Sequence, residues 1–282
     1  MKNILEIKNL SKKYQDFTLD NISFSLPCGC IMGLIGENGA GKSTTIKLIL
    51  DLIRTDGGEI TVLGQDLHRS GKQLKEKIGV VMDECCFPEN LNLKDISKIM
   101  GATYQGWQKD LFSRYTQKFS LPLKKSVKEY SRGMKMKLSI AAALSHNPKL
   151  LILDEATSGL DPIVRDEILD VFLEFIQDEG NAILISSHII SDLEKACDYI
   201  TFLHRGRLVF SEAKDELLEK YRILKCSNEE FESIDKNAVK GFRKNSFGVE
   251  ALVLKDRLRT RAVLDRATME DIMLYHIKED AR

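Results

Sequence analysis

The chain has no long apolar run. Its uninterrupted apolar stretches, such as 150–153 and 182–185, have the length of single strands and fall far short of the roughly 18 residues that a membrane-spanning helix needs. The N-terminal segment carries lysines throughout and lacks the apolar block of a secretory signal peptide. We therefore expect a cytoplasmic protein whose role at any membrane depends on a partner chain.

The chain also lacks an excess of charge of either sign. Lys and Arg together number 42, and so do Asp and Glu, which gives a formal net charge of zero. Nucleic-acid-binding proteins usually carry a basic surplus, so the composition argues against nucleic acid as the main partner, while leaving room for a local basic patch.

The six cysteines show neither CxxC nor the Cys/His spacing of a zinc site. Cys28 and Cys30 could chelate a metal, but no histidine stands near them in the sequence to complete the ligand set. The favoured interpretation is a set of reduced thiols, as in an intracellular protein.

Apolar runs alternate with helical periodicity over most of the chain. The first 26 residues alternate apolar and polar positions, which predicts exposed antiparallel strands. Continuous apolar runs, typical of buried parallel strands, occupy 31–35, 150–153 and 182–185, and helices are predicted over 44–53 and 164–177. This order predicts an α/β fold with a mostly parallel sheet and an N-terminal antiparallel β subdomain.

Two further segments differ from this pattern. Between about 84 and 147 helical periodicity occurs without strand-like runs, which predicts a helical insert. From 213 the chain is polar and weakly periodic, with candidate strands at 221–226 and 251–254 and a closing helix near 268–273. We expect a main domain over 1–212 and a C-terminal extension of mixed α/β character over 213–282.

A glycine-rich motif follows the first buried strand and precedes a helix. It fits GxxxxGK[ST] and adds one threonine: Gly36, Glu37, Asn38, Gly39, Ala40, Gly41, Lys42, Ser43 and Thr44. Its glycines let consecutive backbone N–H groups turn towards phosphates, and the helix start adds its positive dipole end. Lys42 would supply a mobile cation for the β- and γ-phosphate oxygens, and the Ser43 hydroxyl would bind Mg²⁺. The alternative, a plain glycine-rich turn, leaves this context unexplained.

Two acids, Asp154 and Glu155, end the apolar strand over 150–153. Ligands of open α/β sheets bind at the carboxyl ends of the strands. There Asp154 would hold Mg²⁺, and Glu155, following on the pleat, would act on the attacking water as general base or positioning group. The alternative is a pair of surface acids that cap the next element.

Two more residues follow at similar places. Asp161 and Pro162 suit the start of the next helix, so a purely structural role explains them well. His188 ends a third buried strand, where it could donate a hydrogen bond to the γ-phosphate without being the base, or serve only a structural role.

Five motifs now stand in the order and spacing of ABC ATPases: GENGAGKST, YSRGM at 130–134, LLILDE at 150–155, SGLD at 158–161 and SSH at 186–188. The sequence over about 1–212 resembles the ATP-binding subunits of ABC transporters of the ABC-2 exporter type. It looks similar to bacterial ATPases that export antimicrobial peptides or phenol-soluble modulins. The resemblance implies a P-loop NTPase (RecA-like) core, ATP and Mg²⁺ as cofactors, and ATP hydrolysis coupled to export.

The resemblance also implies partners. Ser131 is a good N-cap for a helix running to about Ser145, which leaves a helix start facing outward as an anion site. In ABC proteins this segment, here Ser131, Arg132 and Gly133, contacts the γ-phosphate bound by a second ATPase subunit, and Asp161 lies at the seam. That subunit is a second copy or a paralogue. Tyr14 matches the aromatic residue that stacks on adenine, with an ordinary strand tyrosine as the alternative.

The chain departs from the family pattern at two places. Arg132 and Met134 interrupt the usual LSGGQ signature, and Asp83 replaces the glutamine expected after 78–82. A carboxylate at 83 can bind Mg²⁺ but cannot donate hydrogen bonds as an amide can. Turnover is therefore harder to predict than ATP binding, and a regulatory nucleotide-binding module with little turnover is the alternative.

The movement of the ATPase must be passed to another protein. Apolar and aromatic residues gather after Asp83: Phe87, Pro88, Leu91, Met100, Tyr104 and Trp107. In the family this region grips a short helix of a polytopic transmembrane permease. Such a permease would hold the chain on the inner face of the membrane. Packing in the protein core explains the same residues equally well. A soluble ABC protein acting on ribosomes or DNA is a rival, but such chains carry two cassettes or a long coiled coil, and neither is present.

Overall fold

The computed structural model describes residues 2–258 and 262–279. The strands are β1 (Asn3–Lys13), β2 (Thr18–Pro27), β3 (Ile31–Ile35), β4 (Gly57–Val62), β5 (Gln65–Asp66), β6 (Ile78–Val81), β7 (Leu150–Asp154), β8 (Ala182–Ser186), β9 (Tyr199–His204), β10 (Arg207–Ala213), β11 (Tyr221–Cys226), β12 (Val239–Asn245), β13 (Gly248–Leu254) and β14 (Val263–Arg266). The helices are α1 (Lys42–Ile49), α2 (Gly71–Lys75), α3 (Leu93–Thr103), α4 (Lys109–Lys118), α5 (Arg132–Leu144), α6 (Pro162–Phe175), α7 (Ile190–Ala196), α8 (Lys214–Lys220), α9 (Asn228–Glu232) and α10 (Met269–Glu279).

The central sheet has the order β10-β9-β3-β8-β7-β6, with β10 antiparallel to β9 and the other neighbours parallel. Every residue of β3, β7 and β8 is buried, because helices and the N-terminal sheet cover both faces. The three predicted core strands and the mostly parallel sheet are thus confirmed. Their carboxyl ends meet at one edge, where Asp154 pairs in register with Ser186.

The N-terminal sheet has the order β2-β1-β4-β5 and is antiparallel, as predicted. The expectation that these strands are exposed was wrong. One face, with Leu5, Ile7 and Leu10, packs into the same cluster as Ile46 of α1 and Leu34 of β3. Alternation marks a strand with one buried face, which here covers the helix that follows the glycine loop.

The helices beside this core differ from the predicted bounds at their ends. The helix predicted over 44–53 ends at Ile49, since Asp51 adopts a left-handed backbone conformation (φ 56°) that a helix cannot continue through. The helix predicted over 164–177 begins two residues earlier, at Pro162, because Asp161 accepts a hydrogen bond from the Val164 N–H at 3.0 Å and caps it.

Residues 84–147 contain α3, α4 and α5 and no strand. After β10, strands β11 to β14 form a separate antiparallel sheet in the order β12-β13-β11-β14. The division at 212/213 remains a prediction, and β10 runs through it to Ala213. Of the two predicted ranges, residues 1, 259–261 and 280–282 lie outside the described residues.

The sequence predicts neither a membrane-spanning helix nor a zinc site. In the part of the chain that the structure describes, no helix combines the length and apolar character needed to cross a bilayer. All six cysteines are free thiols, and no group of three or more His, Cys, Asp or Glu side chains within 2–258 and 262–279 could hold a metal ion.

Candidate functional site

The glycine-rich loop lies between β3 and α1 and is packed against the turn that joins β9 to β10. A Cβ atom on Gly36 would come within 2.4 Å of the Leu203 carbonyl oxygen, and the Gly206 N–H donates to the Ala40 carbonyl at 3.0 Å. Gly41 precedes α1 and has a positive φ of 109°, and no side chain caps the helix start. The first N–H groups of α1 therefore keep the capacity to bind an anion.

The sequence analysis predicted that Lys42 is a mobile cation, but in the structure its side chain is held in place. Its side chain is 6% exposed and its Nζ donates to the carbonyls of Gly36 at 2.7 Å and Glu37 at 3.2 Å. Burial lowers the pKa of Lys42, while the carboxylates of Glu155, Asp154 and Glu37 oppose that shift. An ammonium group in this position is pre-organised beneath the loop, where phosphate oxygens can replace the carbonyls as its acceptors.

Asp154 lies at the end of β7 and is 4% exposed. The hydroxyls of Ser43 and Ser186 donate to its Oδ1 at 3.3 and 2.5 Å. A buried carboxylate beside a hydroxyl is an oxygen donor set that suits Mg²⁺, which takes few protein ligands and completes its shell with phosphates and water. Asp83 lines the pocket of the glycine loop together with Ser43.

Glu155 does not follow on the pleat, and this expectation is corrected. Its φ of 53° is left-handed, so the strand ends at Asp154 and the carboxylate turns out of the sheet. The Glu155 N–H donates to both the carbonyl and the hydroxyl of Ser186, each at 3.1 Å. A non-glycine residue in this conformation costs on the order of 1–3 kcal/mol and is found preferentially where function requires it.

The side chain of Glu155 is placed between two nitrogen groups. Its Oε2 lies 2.6 Å from His188 Nδ1, and its Oε1 lies 3.9 Å from Lys42 Nζ. Glu155 and His188 both line the pocket of the glycine loop. The fold thus brings Glu155 and His188 beside Lys42, which the sequence analysis assigned to the phosphate oxygens.

The second predicted anion site has the expected local structure, and most of it lies outside the glycine-loop pocket of its own chain. Ser131 caps α5 by accepting a hydrogen bond from the Met134 N–H at 3.2 Å. Among the described residues that line the glycine-loop pocket, Arg132 is present, whereas Ser131, Gly133 and Asp161 are not. One chain therefore does not gather all of the predicted phosphate ligands.

Tyr14 follows the end of β1, 47% exposed, with its ring centroid 6.5 Å from that of Phe17. The pocket is lined by Asp16 and Phe17 rather than by Tyr14. The sequence analysis did not single out Phe17, although an aromatic residue three positions after Tyr14 was a signal; Phe17 lies just before β2. Phe17 Cζ lies 3.0 Å from where a Cβ of Gly41 would be, so this ring covers the glycine loop.

Two serines were also missed. Ser158 lines the pocket, and Ser186 holds both Asp154 and the backbone of Glu155. Their hydroxyls lay within motifs already quoted, but only the pairing of β7 with β8 shows what Ser186 contacts.

The apolar segment after Asp83 is mostly used for packing. Phe87, Leu91, Met100 and Trp107 pack against the main core, and Tyr104 stacks on His146 with ring centroids 4.2 Å apart. Pro88 is exposed. Beside this segment lies a cavity of about 460 Å³. The described residues that line it are Asp83, Glu84, Cys85, Phe87, Glu89, Val127, Tyr130, Arg132, Lys135 and Met136.

Comparison with known proteins gives a consistent result. The family described as ABC transporter matches residues 19–158. The chain is 38% identical to the lantibiotic transport ATP-binding protein SrtF of Streptococcus pyogenes, over 75% of this chain and 92% of that protein. It is 30% identical to the uncharacterized ABC transporter ATP-binding protein YhcH of Bacillus subtilis, over 99% of this chain and 92% of the other. Among solved structures, one described as an ATP binding subunit of an ABC transporter is similar with a TM-score of 0.69 and 31% identity, covering 76% of this chain and 91% of that one. The P-loop NTPase fold expected from the motifs is thereby confirmed.

Proposed function

This chain belongs to the ATP-binding proteins of ABC transporters, which are ATPases, and on that premise we propose that it powers the export of peptides or other amphipathic compounds through a separate permease. The proposal of a peptide cargo is supported by the name of the S. pyogenes relative, which transports a lantibiotic. The permease would hold the chain at the inner face of the membrane.

The observation that carries the catalytic assignment is the position of Glu155 between Lys42 and His188 at the mouth of the glycine loop. We assign Glu155 to the attacking water, as base or as positioning group. Lys42 and the backbone of residues 36–44 bind the phosphates. His188 orients the carboxylate, and it is near enough to the pocket to donate to the γ-phosphate.

Mg²⁺ is proposed as the metal cofactor. Ser43 and Asp154 would hold it, with Asp83 as a further carboxylate at the pocket wall. A bound Mg²⁺ neutralises phosphate charge and orients the nucleotide.

The ATPase is proposed to act as a pair, of two copies or with a paralogue. Ser131, Arg132 and Gly133 of one subunit would contact the nucleotide held by the glycine loop of the other, with Asp161 at the seam and Tyr14 against adenine. This arrangement is supported by the capped start of α5, a helix N-terminus whose side-chain hydroxyl is exposed and outside the pocket of its own chain.

The experiment that tests this function is the substitution Glu155→Gln. We expect the variant to bind ATP but to release phosphate at least about 100-fold more slowly, since loss of a general base typically costs a factor of 10²–10⁴. It should also accumulate as a dimer in ATP on size-exclusion chromatography. Turnover equal to that of the wild type would refute the role of Glu155.

A mixed pair tests the shared site. If one chain carries Ser131→Arg and the other Lys42→Ala, the shared geometry leaves one composite site intact and puts both changes in the other. Sites formed within single chains would each carry one change, so a pair with no working site, or with two, would rule out the shared geometry. Copurification of a polytopic membrane protein from solubilised membranes, absent from a matched sample without the chain, tests the permease assignment.

A further inference from the structure

Arg132 contacts the loop that follows the proposed hydrolytic carboxylate in its own chain. A Cβ atom on Gly159 would lie 2.7 Å from Arg132 Nη1, 2.9 Å from Cζ and 3.3 Å from Nη2, so the guanidinium lies against the Cα of this glycine. Gly159 has a φ of +67°, a conformation that favours glycine. Arg132 has no ion pair or hydrogen bond with any other side chain in the described part of the protein.

The loop containing Gly159 is anchored at one end and open at the other. Ala156 and Thr157 are fully buried, and the Ser158 N–H donates to the Glu155 carbonyl at 3.0 Å, closing a turn on the carboxylate residue. Gly159 itself is exposed, and the three heavy atoms nearest its Cβ position all belong to the guanidinium of Arg132. A displacement of Gly159 would therefore pass through one short turn to Glu155.

The start of α5 and the start of α6 are also in contact. A Cβ atom on Gly133 would lie 3.4 Å from a methyl group of Val164. The approach of the two helix starts gives Arg132 a fixed base from which its side chain reaches the loop. Arginine suits this place because its planar head is always charged and can lie flat on a peptide surface.

We propose that Arg132 is a positioning residue for hydrolysis in its own chain: by packing on Gly159 it fixes the turn that sets the direction of the Glu155 carboxylate. This inference rests on the proposed function, and it assigns Arg132 a role separate from contact with the nucleotide of the partner subunit. The reason for the departure from the glycine-rich signature would then lie in the same chain.

A mixed pair separates the two roles. One chain keeps Glu155 and the other carries Glu155→Gln, so that turnover comes from the site whose carboxylate is intact. Arg132→Met, which keeps an unbranched aliphatic side chain but removes the planar charged head, is then placed in either chain. Phosphate release is measured over a range of ATP concentrations.

With Arg132→Met in the chain that keeps Glu155, we expect kcat to fall about tenfold and KM to change less than about threefold, because a misplaced catalytic group affects the chemical step. In the other chain the same substitution should act mainly on KM, since there it removes a contact to the partner's nucleotide. Equal falls in kcat from both placements, or a fall from the second placement alone, would overturn the inference.

Gly159→Ala in the chain that keeps Glu155 supplies the second test. The added methyl group would push the guanidinium away, so the contact is already lost and Arg132→Met should lower kcat less than about twofold further. An undiminished effect of Arg132→Met in this background would show that Arg132 does not act through Gly159. The reference pair carries only Glu155→Gln in one chain. If this pair releases no phosphate, the proposed shared site is wrong, and the inference that rests on it fails as well.

Discussion

At the scale of single residues, the site depends on a few buried polar groups that fix one another. Lys42 is bound to carbonyls of its own loop, and Asp154 accepts from two serine hydroxyls. Each group is buried, and its hydrogen-bond partners compensate for the lost contact with water. Removal of a partner would leave a buried charge or donor unpaired. This arrangement reduces the reorganisation needed when phosphates arrive.

Lys42→Ala should weaken ATP binding about 10- to 100-fold, because charge-assisted hydrogen bonds contribute roughly 1.5–3 kcal/mol each. Equilibrium titration with a fluorescent ATP analogue measures the change. Lys47→Ala is the matched control, since Lys47 lies on the exposed side of the same helix. Normal affinity of the Lys42 variant would count against its role.

Ser186→Ala should lower kcat more than it weakens ATP binding. The substitution removes the donor to Asp154 and one acceptor of the Glu155 N–H, and should cost about 1–2 kcal/mol of folding stability. Ser187→Ala is the control, because its hydroxyl accepts from the Ile189 N–H just before α7 and takes no part in the hydrogen bonds to Asp154 and Glu155. Steady-state kinetics and chemical denaturation of both variants give the two values; an equal loss of kcat in both would contradict this role for Ser186.

At the scale of secondary structure elements, the glycine loop owes its shape to a neighbour distant in sequence. The turn between β9 and β10 contacts it at Gly36 and Ala40, and a Cβ atom on Gly206 would collide with the Thr18 carbonyl at 1.9 Å. The turn therefore contacts both β2 and the loop through backbone atoms.

Gly36→Ala should lower the melting temperature and ATP affinity more than Gly39→Ala does. Both glycines have positive φ, but the added methyl group meets the Leu203 carbonyl only at Gly36, while at Gly39 no atom lies within 4 Å of the Cβ position. Alanine at Gly39 is left with a conformational cost of about 1–2 kcal/mol. Thermal denaturation with and without ATP measures both; equal losses would show that the β9–β10 contact does not shape the loop.

At the scale of the whole molecule, the C-terminal extension shares part of its buried surface with the main core. Ile223, Met269 and Ile272 belong to the same buried cluster as Leu193 of α7, the helix that follows His188. The Met269 N–H, at the start of α10, donates to Glu194 Oε1 at 3.1 Å. The extension therefore packs directly on the element that positions His188.

Ile272→Ala should destabilise the entire chain by about 2–5 kcal/mol, because a fully buried isoleucine is lost from the shared cluster. We expect one cooperative transition on denaturation, followed by circular dichroism and by bound nucleotide together. Phe247→Ala is the control in the same extension, since Phe247 is 97% exposed and should change stability by less than about 0.5 kcal/mol. Separate unfolding of the extension, with the nucleotide signal unchanged, would contradict a shared core.

The sequence by itself determined the family motifs and most of the local elements. The glycine loop, the acids after a buried strand and the caps at Ser131 and Asp161 could be predicted because each depends on residues near one another in the chain. The buried parallel strands could be predicted for the same reason, since a run of four or five aliphatic residues is enough to identify them.

Only the tertiary structure decided how these groups meet. The left-handed turn at Glu155, the two bonds of Ser186, the contact of Arg132 with Gly159 and the packing of α10 on α7 all join residues of different elements or depend on such contacts. Local propensity does not encode them, because their geometry follows from the pairing of β7 with β8 and from the packing of helices on the sheet. Sequence pattern predicted which residues carry the proposed chemistry, and long-range packing decided where their reactive atoms lie.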